Sequence, residues 1–272
     1  MIKNELKQKW ANGEATVNAW LSIGNPFTAE IMAAQGYDSL TVDGQHGALD
    51  YSALLPMFQA MRASGVMPMA RVPWLEPGAI MKTLDAGAYG IICPMVNNAS
   101  EAAELARHVR YPPRGLRSFG PTRVNFSAGA NYAAEANDEI VCFAMIETAE
   151  AVKNLEDIVS TPGIDGVYVG PADLTLGVTN GRLPPGFDRR EPEMVEVIQR
   201  IAKAAKNAGI VSGIQCGSED YAKDAVDWGY NMVTLTSDVR LLASGARASV
   251  DRMRQLLGQG TGGADANAKG GY

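Results

Sequence analysis

Residues 36–47 read GYDSLTVDGQHG, and the order of residue types in that stretch carries the fold. Gly36 closes a helical pattern over residues 28–35. An apolar run, 38–42 (DSLTV), follows and has the length and composition of a short strand. The run ends in a polar, glycine-flanked cluster, Asp43-Gly44-Gln45-His46-Gly47, and a new helical pattern begins near Tyr51 and extends to about Ala63. A strand that returns through a helix is the unit of a parallel sheet, because parallel neighbours need a crossover connection.

The same unit repeats in both directions. Before it stand a strand at 15–22 (ATVNAWLS) and a helix opened by Pro26. After it come strands at 67–72 (MPMARV), 90–95 (GIICPM), 140–146, 166–169, 210–215 and 232–236. Helical patterns follow at 77–86, 100–109, 149–159, 192–208, 218–228 and 239–257, with a short helical turn near Ala172. Pro77 suits a first helical turn and Gly87 a helix end; Ser100 is a good N-cap. Long connections are expected at 111–137 and 177–190. The expectation is an α/β chain of eight units, a (β/α)8 TIM barrel, forming one domain over 1–258 with a disordered tail at 259–272. A doubly wound open sheet would need a phosphate loop at a switch point, and the nearest string, GQGTGG at 258–263, follows a helix in the tail. No P-loop or GxSxG elbow is present.

Composition narrows the class. The 272 residues are 46% hydrophobic with a net charge of −6, which excludes wholesale disorder and gives no basic footprint for nucleic acid. Three well-separated cysteines, Cys93, Cys142 and Cys216, read as reduced, buried thiols of a cytoplasmic protein. No apolar stretch reaches the roughly 18 residues that span a bilayer, and the start, MIKNELKQKW, lacks the apolar core of a secretory signal.

Barrel enzymes place their chemistry where strands end. The polar residues found there are Asp43 and His46, Arg71, Glu147, Asp173 and Asp238, with Asp85 near the end of a helix. Glu147 and Asp173 are two hard oxygen donors suited to Mg²⁺ or Mn²⁺. Such an ion would favour enolate formation from a chelating 2-oxo acid. Arg71 could stabilise the developing negative charge. His46, one of two histidines, can move a proton near neutral pH, with Asp43 or Asp85 orienting it. Structural readings stand beside these: Arg71 as an ion-pair partner, Glu147 and Asp173 as helix caps, Asp85 as an exposed helix charge. Trp20 and Trp74 read as core or pocket wall.

At these residues the chain resembles the HpcH/HpaI aldolase family, the metal-dependent class II pyruvate aldolases of the phosphoenolpyruvate/pyruvate barrel superfamily. The resemblance is carried by TVDGQHG (41–47), MARVP (69–73), LDAGAYGIICPMV (84–96), YPPRGLRSFGP (111–121), MIET (145–148) and YVGPADLTLG (168–177). It implies reversible cleavage of a 4-hydroxy-2-oxo acid to pyruvate, or an analogue such as hydroxypyruvate, and an aldehyde. It implies Glu147 and Asp173 as ligands of a divalent cation, Mg²⁺ or Mn²⁺ first and Co²⁺ or Zn²⁺ as further options. His46 becomes the acid/base centre acting through a metal-bound water, supported by Asp85 and Asp43. Arg71 holds the keto oxygen, and the backbone of Gly170, Pro171 and Ala172 cradles the carboxylate, with Trp20 in the substrate pocket. A homo-hexamer, a trimer of dimers with exchanged terminal helices, is also implied.

The chain departs from the family pattern at Gln45, where relatives often carry Glu, and at Met145, where they often carry Gln. Asp238, in LTSD, is expected to be structural. Two other functions remain open on the residues alone. One is a barrel lyase acting on an acyl-CoA thioester, with Arg114, Arg117 and Arg123 on the phosphates; the same arginines could instead bind the distal carboxylate of an aldol substrate or sit at a subunit contact. The other is a non-catalytic barrel that binds a small acid. No KKCGH-like nucleophile loop is present.

Overall fold

The computed structural model describes residues 1–259. A short helix, α1 (Glu5–Ala11), precedes the first unit, β1 (Thr16–Leu21) and α2 (Pro26–Ala33). There follow β2 (Ser39–Asp43) and α3 (Tyr51–Met61), β3 (Met67–Arg71) and α4 (Pro77–Ala86), and β4 (Gly90–Cys93) and α5 (Ala99–Val109). The connection to the next strand carries α6 (Val124–Ser127) and α7 (Tyr132–Glu139). Then come β5 (Val141–Ile146) with α8 (Ala149–Lys153) and α9 (Leu155–Val159), and β6 (Gly166–Val169) with α10 (Pro171–Val178) and α11 (Pro192–Asn207). The chain closes with β7 (Val211–Gln215), α12 (Glu219–Asp227), β8 (Met232–Ser237) and α13 (Asp238–Leu256).

Every strand pairs in parallel with its sequence neighbours, and β8 pairs with β1, so the sheet is a closed barrel. Both faces of β2, β4, β5 and β6 are buried throughout, as expected for strands covered by helices. The (β/α)8 reading therefore holds. Three details differ from it. The long connection after α5 folds into two helices around buried Val124 and Tyr132. The helix expected over 149–159 breaks at Asn154, whose side chain leaves the helix to donate to the Asn97 carbonyl, 2.9 Å away. The turn near Ala172 is a full helix, α10. The tail expected to be disordered lies, from residue 260 onward, outside the described residues.

Glycines make room for large side chains inside the barrel. A Cβ on Gly166 would stand 2.4 Å from Phe143 Cε1 and 2.7 Å from Val211 Cγ2, its partners on the two adjacent strands. Polar groups are buried with them. Asn18 of β1 accepts from Ser39 and Thr41 of β2 and donates to Thr234 of β8, at 2.8–3.1 Å. Tyr168 of β6 donates to the same threonine at 2.8 Å. Buried polar groups paired in this way fix one register, since a slip would leave each donor bare.

The outer helices bury an apolar stripe against the barrel, as α11 does through Met194, Ile198, Ile201 and Ala205. α13 does not: over 19 residues only Asp238 is buried, while Leu242, Met253 and Leu256 are more than half exposed. Asp238 is structural as expected, accepting from the backbone N–H of Ser22, Ile23 and Val239. Trp74 is a correction: it stands on the β3–α4 loop and is 53% exposed, outside the core and the cavity wall of the described residues. The cysteines are buried, free thiols. No described helix is long and apolar enough to cross a membrane.

The glycine packing is testable. Gly166→Ala should overpack the barrel and cost about 1–3 kcal/mol, as core insertions do, read as a lower urea-unfolding midpoint.

Candidate active site

The strands point their C-terminal ends to one rim, and the candidate residues gather there. Asp43 ends β2 and Arg71 ends β3, in register with each other. Both are buried, and Arg71 donates through Nε and one terminal nitrogen to the two Asp43 oxygens at 2.8 and 2.7 Å. Such a fork fixes the guanidinium plane. The guanidinium also lies over the Trp20 ring, its Cζ 5.2 Å from the centroid. Burial would raise the Asp43 pKa, but the hydrogen bonds and charge of Arg71 reverse that and hold the carboxyl below its ordinary value. Asp43 Oδ1 also accepts the backbone N–H groups of Gln45 and His46, at 3.1 and 3.2 Å. Asp43 thus supports His46 through the backbone of its loop, and His46 is exposed.

Glu147 follows β5 and is 2% exposed. Its Oε1 accepts the Met95 N–H at 2.7 Å, and Oε2 takes no hydrogen bond among the described residues. Met95 donates from a left-handed backbone (φ 58°), an unusual conformation for a non-glycine residue, held in place at the end of β4. Burial pushes the Glu147 pKa from 4.5 up to about 7, and the nearby Asp173 carboxylate adds to the push. Met95 N–H and Arg71 oppose it. Asp173 stands in the first turn of α10, with Gly170 as its N-cap and Pro171 at its first position. A side chain at Gly170 would not fit, since its Cβ would lie 2.7 Å from Glu147 Oε2.

One cavity of about 430 Å³ opens on this rim. Trp20, Arg71, Gly170 and Ala172, all expected in the site, line it together with Met145 and Tyr168. Phe187, Gln215, Ser237 and Arg240 complete the wall and were not singled out from sequence. Gln215 and Ser237 are the last residues of β7 and β8, so their positions at strand ends were the available signal. The Met95 backbone had no signal beyond its place just after β4.

Chain direction sets two groups of expected residues away from this chain's own rim. Asp85 lies in the last turn of α4, which runs back to the N-terminal end of the barrel, so within one chain it does not reach His46. It pairs instead with Arg117 at 2.7 Å. Arg114, Arg117 and Arg123 sit on an αβ connection and hence at that same far end. Arg114 pairs with Asp138, Arg117 with Asp85, and Arg123 with the Ala86 carbonyl. Within this chain they cannot serve the rim, either for CoA phosphates or for a distal carboxylate.

Among the described residues no group of three or more His, Cys, Asp or Glu side chains converges as a metal site. Two carboxylates do converge, and one of them, Glu147, is raised in pKa by its burial and then by its neighbour Asp173. That set fits Mg²⁺ or Mn²⁺, which take one or two protein carboxylates and complete their shell from water and substrate.

A closed parallel barrel with a buried arginine–carboxylate fork and a carboxylate pair at its C-terminal rim defines an enzyme of the barrel lyase class. A family profile described as HpcH/HpaI aldolase/citrate lyase matches residues 17–245. The chain is 40% identical to the hydroxypyruvate/pyruvate aldolase of Rhizorhabdus wittichii, over 93% of its own length and 100% of the relative's. It is 34% identical to the 4-hydroxy-2-oxo-heptane-1,7-dioate aldolase of Klebsiella pneumoniae, covering 92% of this chain and 94% of that one. The crystal structure of an HpcH/HpaI aldolase/citrate lyase family protein from Burkholderia cenocepacia superposes with a TM-score of 0.85 at 31% identity, covering 93% of this chain and 100% of that chain. The chain belongs to the HpcH/HpaI aldolase/citrate lyase family.

The raised pKa of Glu147 sets a sign. A carboxyl with a folded pKa near 7 favours folding below about pH 4.5, and that contribution is lost as pH rises toward and through 7. In EDTA the wild type should lose stability between pH 5 and 8 relative to Glu147→Gln. Added Mg²⁺ or Mn²⁺ should cancel the loss. Thermal melts across that range check both.

Proposed function

We propose that this enzyme reversibly cleaves the C3–C4 bond of 4-hydroxy-2-oxo acids to pyruvate or hydroxypyruvate and an aldehyde, with a divalent cation at Glu147 and Asp173. The observation that carries the reading is the Arg71 guanidinium, locked by Asp43 and stacked on Trp20, facing the same cavity as Gly170 and Ala172. When bound, the cation supplies Lewis acidity to the oxygens of the 2-oxo acid.

The chain's residues account for the remaining work. The first turn of α10 turns backbone N–H groups toward the substrate carboxylate, since the first turn of a helix lacks intrahelical acceptors. His46 takes the proton from the C4 hydroxyl, and the C3–C4 bonding pair moves onto the keto oxygen as an enolate while the aldehyde leaves. Arg71 stabilises the negative charge developing on that oxygen. A proton delivered to C3 then completes the 2-oxo acid product. Trp20, Tyr168 and Met145 form an apolar wall that strengthens these interactions. In the reverse direction the same groups act in the opposite order.

Arg71→Ala should lower aldol turnover by about 10²–10³-fold, the usual cost of removing one transition-state donor. The companion assay is deuterium exchange at the pyruvate methyl group, followed by proton NMR in D₂O. Exchange should require added Mg²⁺ or Mn²⁺ and stop with EDTA. Near-wild-type turnover in Arg71→Ala would overturn the role given to Arg71, and metal-independent exchange the role given to Glu147 and Asp173.

The exposed apolar face of α13 supports a second part of the proposal, that this helix packs on neighbouring subunits of a hexamer. The buried free thiols are compatible with a reducing, cytoplasmic setting. Leu242→Asp combined with Met253→Asp should shift the sedimentation coefficient from hexamer to smaller species.

A further inference from the structure

We infer that Arg240, carried on the face of Phe187 at the mouth of the active cavity, reads an oxyanion at the far end of the aldehyde substrate. The inference rests on the aldol reading above and names the substrate class it admits: short aldehydes that end in a carboxylate or a phosphate.

Arg240 is the third residue of α13, immediately beyond β8, and therefore stands on the catalytic rim. It lines the same cavity as Arg71, Gly170 and Ala172. Its Cζ lies 5.5 Å from the Phe187 ring centroid, a cation–π distance that holds a long side chain at low entropic cost. Phe187 is itself fixed. The next residue, Asp188, has a left-handed backbone (φ 53°), and its carboxylate accepts from the Gly217 N–H and the Ser218 hydroxyl, both at 2.6 Å. The guanidinium is thus placed by the fold.

Charge makes the case for an anion. No acidic side chain lines the cavity itself, and Glu147 and Asp173 beside it are given to the cation. Arg71 is neutralised by Asp43, whereas Arg240 has no carboxylate at ion-pair distance among the described residues. Gln215 and Ser237 add neutral polar groups beside it, and the rest of the wall is largely apolar. Within this chain the loop arginines lie at the opposite end of the barrel, and Arg240 is the cation on the cavity wall besides Arg71.

The test measures aldol condensation with pyruvate for wild type, Arg240→Gln and Arg240→Lys. Succinic semialdehyde is paired with butanal, and D-glyceraldehyde 3-phosphate with D-glyceraldehyde. Wild type should prefer the anionic member of at least one pair. Arg240→Gln should cut that kcat/KM ratio by about 10–100-fold, the range for one charge-assisted hydrogen bond, mainly through KM, and Arg240→Lys should restore part of it. The pair whose ratio collapses identifies carboxylate or phosphate. An unchanged ratio in Arg240→Gln with aldol turnover retained would overturn the inference alone. No condensation and no pyruvate exchange in the wild type would overturn the aldolase reading, and this inference with it.

Discussion

The buried fork between Asp43 and Arg71 holds the site together. A buried ion pair contributes little net stability, because desolvating both charges offsets their attraction. Its value here is positional. Asp43 spends its oxygens on two strand-end neighbours at once, the guanidinium of β3 and the backbone of the loop that carries His46. Trp20 then closes the guanidinium from the β1 side. The ends of three adjacent staves are thereby fixed relative to one another.

The carboxylate side works by the opposite logic. Glu147 is buried with one backbone donor and a second carboxylate nearby, so its charge is poorly compensated in the folded chain. The fold accepts that cost through a strained Met95 and a glycine at 170 that lets α10 approach the Glu147 oxygen. One half of the rim is a satisfied ion pair and the other a pair of neighbouring carboxylates. In the proposed reaction, a substrate held between them would meet a fixed donor on one side and a cation on the other.

Much of this was legible in the sequence. Strand ends gave Asp43, Arg71, Glu147 and Asp173, because a TIM barrel sends all its βα loops to one face. The same rule, applied to the αβ loops, would have placed Asp85 and the arginines at 114, 117 and 123 away from the rim. Motif similarity grouped Asp85 with the site, and the direction of α4 sets it away from this chain's own rim. Phe187 and Arg240 were missed because each belongs to an element read for its own pattern, a polar loop and an amphipathic helix. Their contact with each other joins positions more than fifty residues apart.

The sequence by itself determined the alternation of strands and helices, hence the closed parallel barrel and the end at which chemistry collects. Those properties follow from local periodicity and from the crossover that parallel strands require. It also supplied the charged residues of the rim, which follow short apolar runs. Tertiary structure decided which charges meet. The fork of Asp43 and Arg71, the raised pKa of Glu147, the placement of Asp85 with Arg117 and the meeting of Arg240 with Phe187 all depend on distances across the barrel. Electrostatic and hydrogen-bonding energies vary steeply with such distances and with burial. Spacing along the chain carries no record of either.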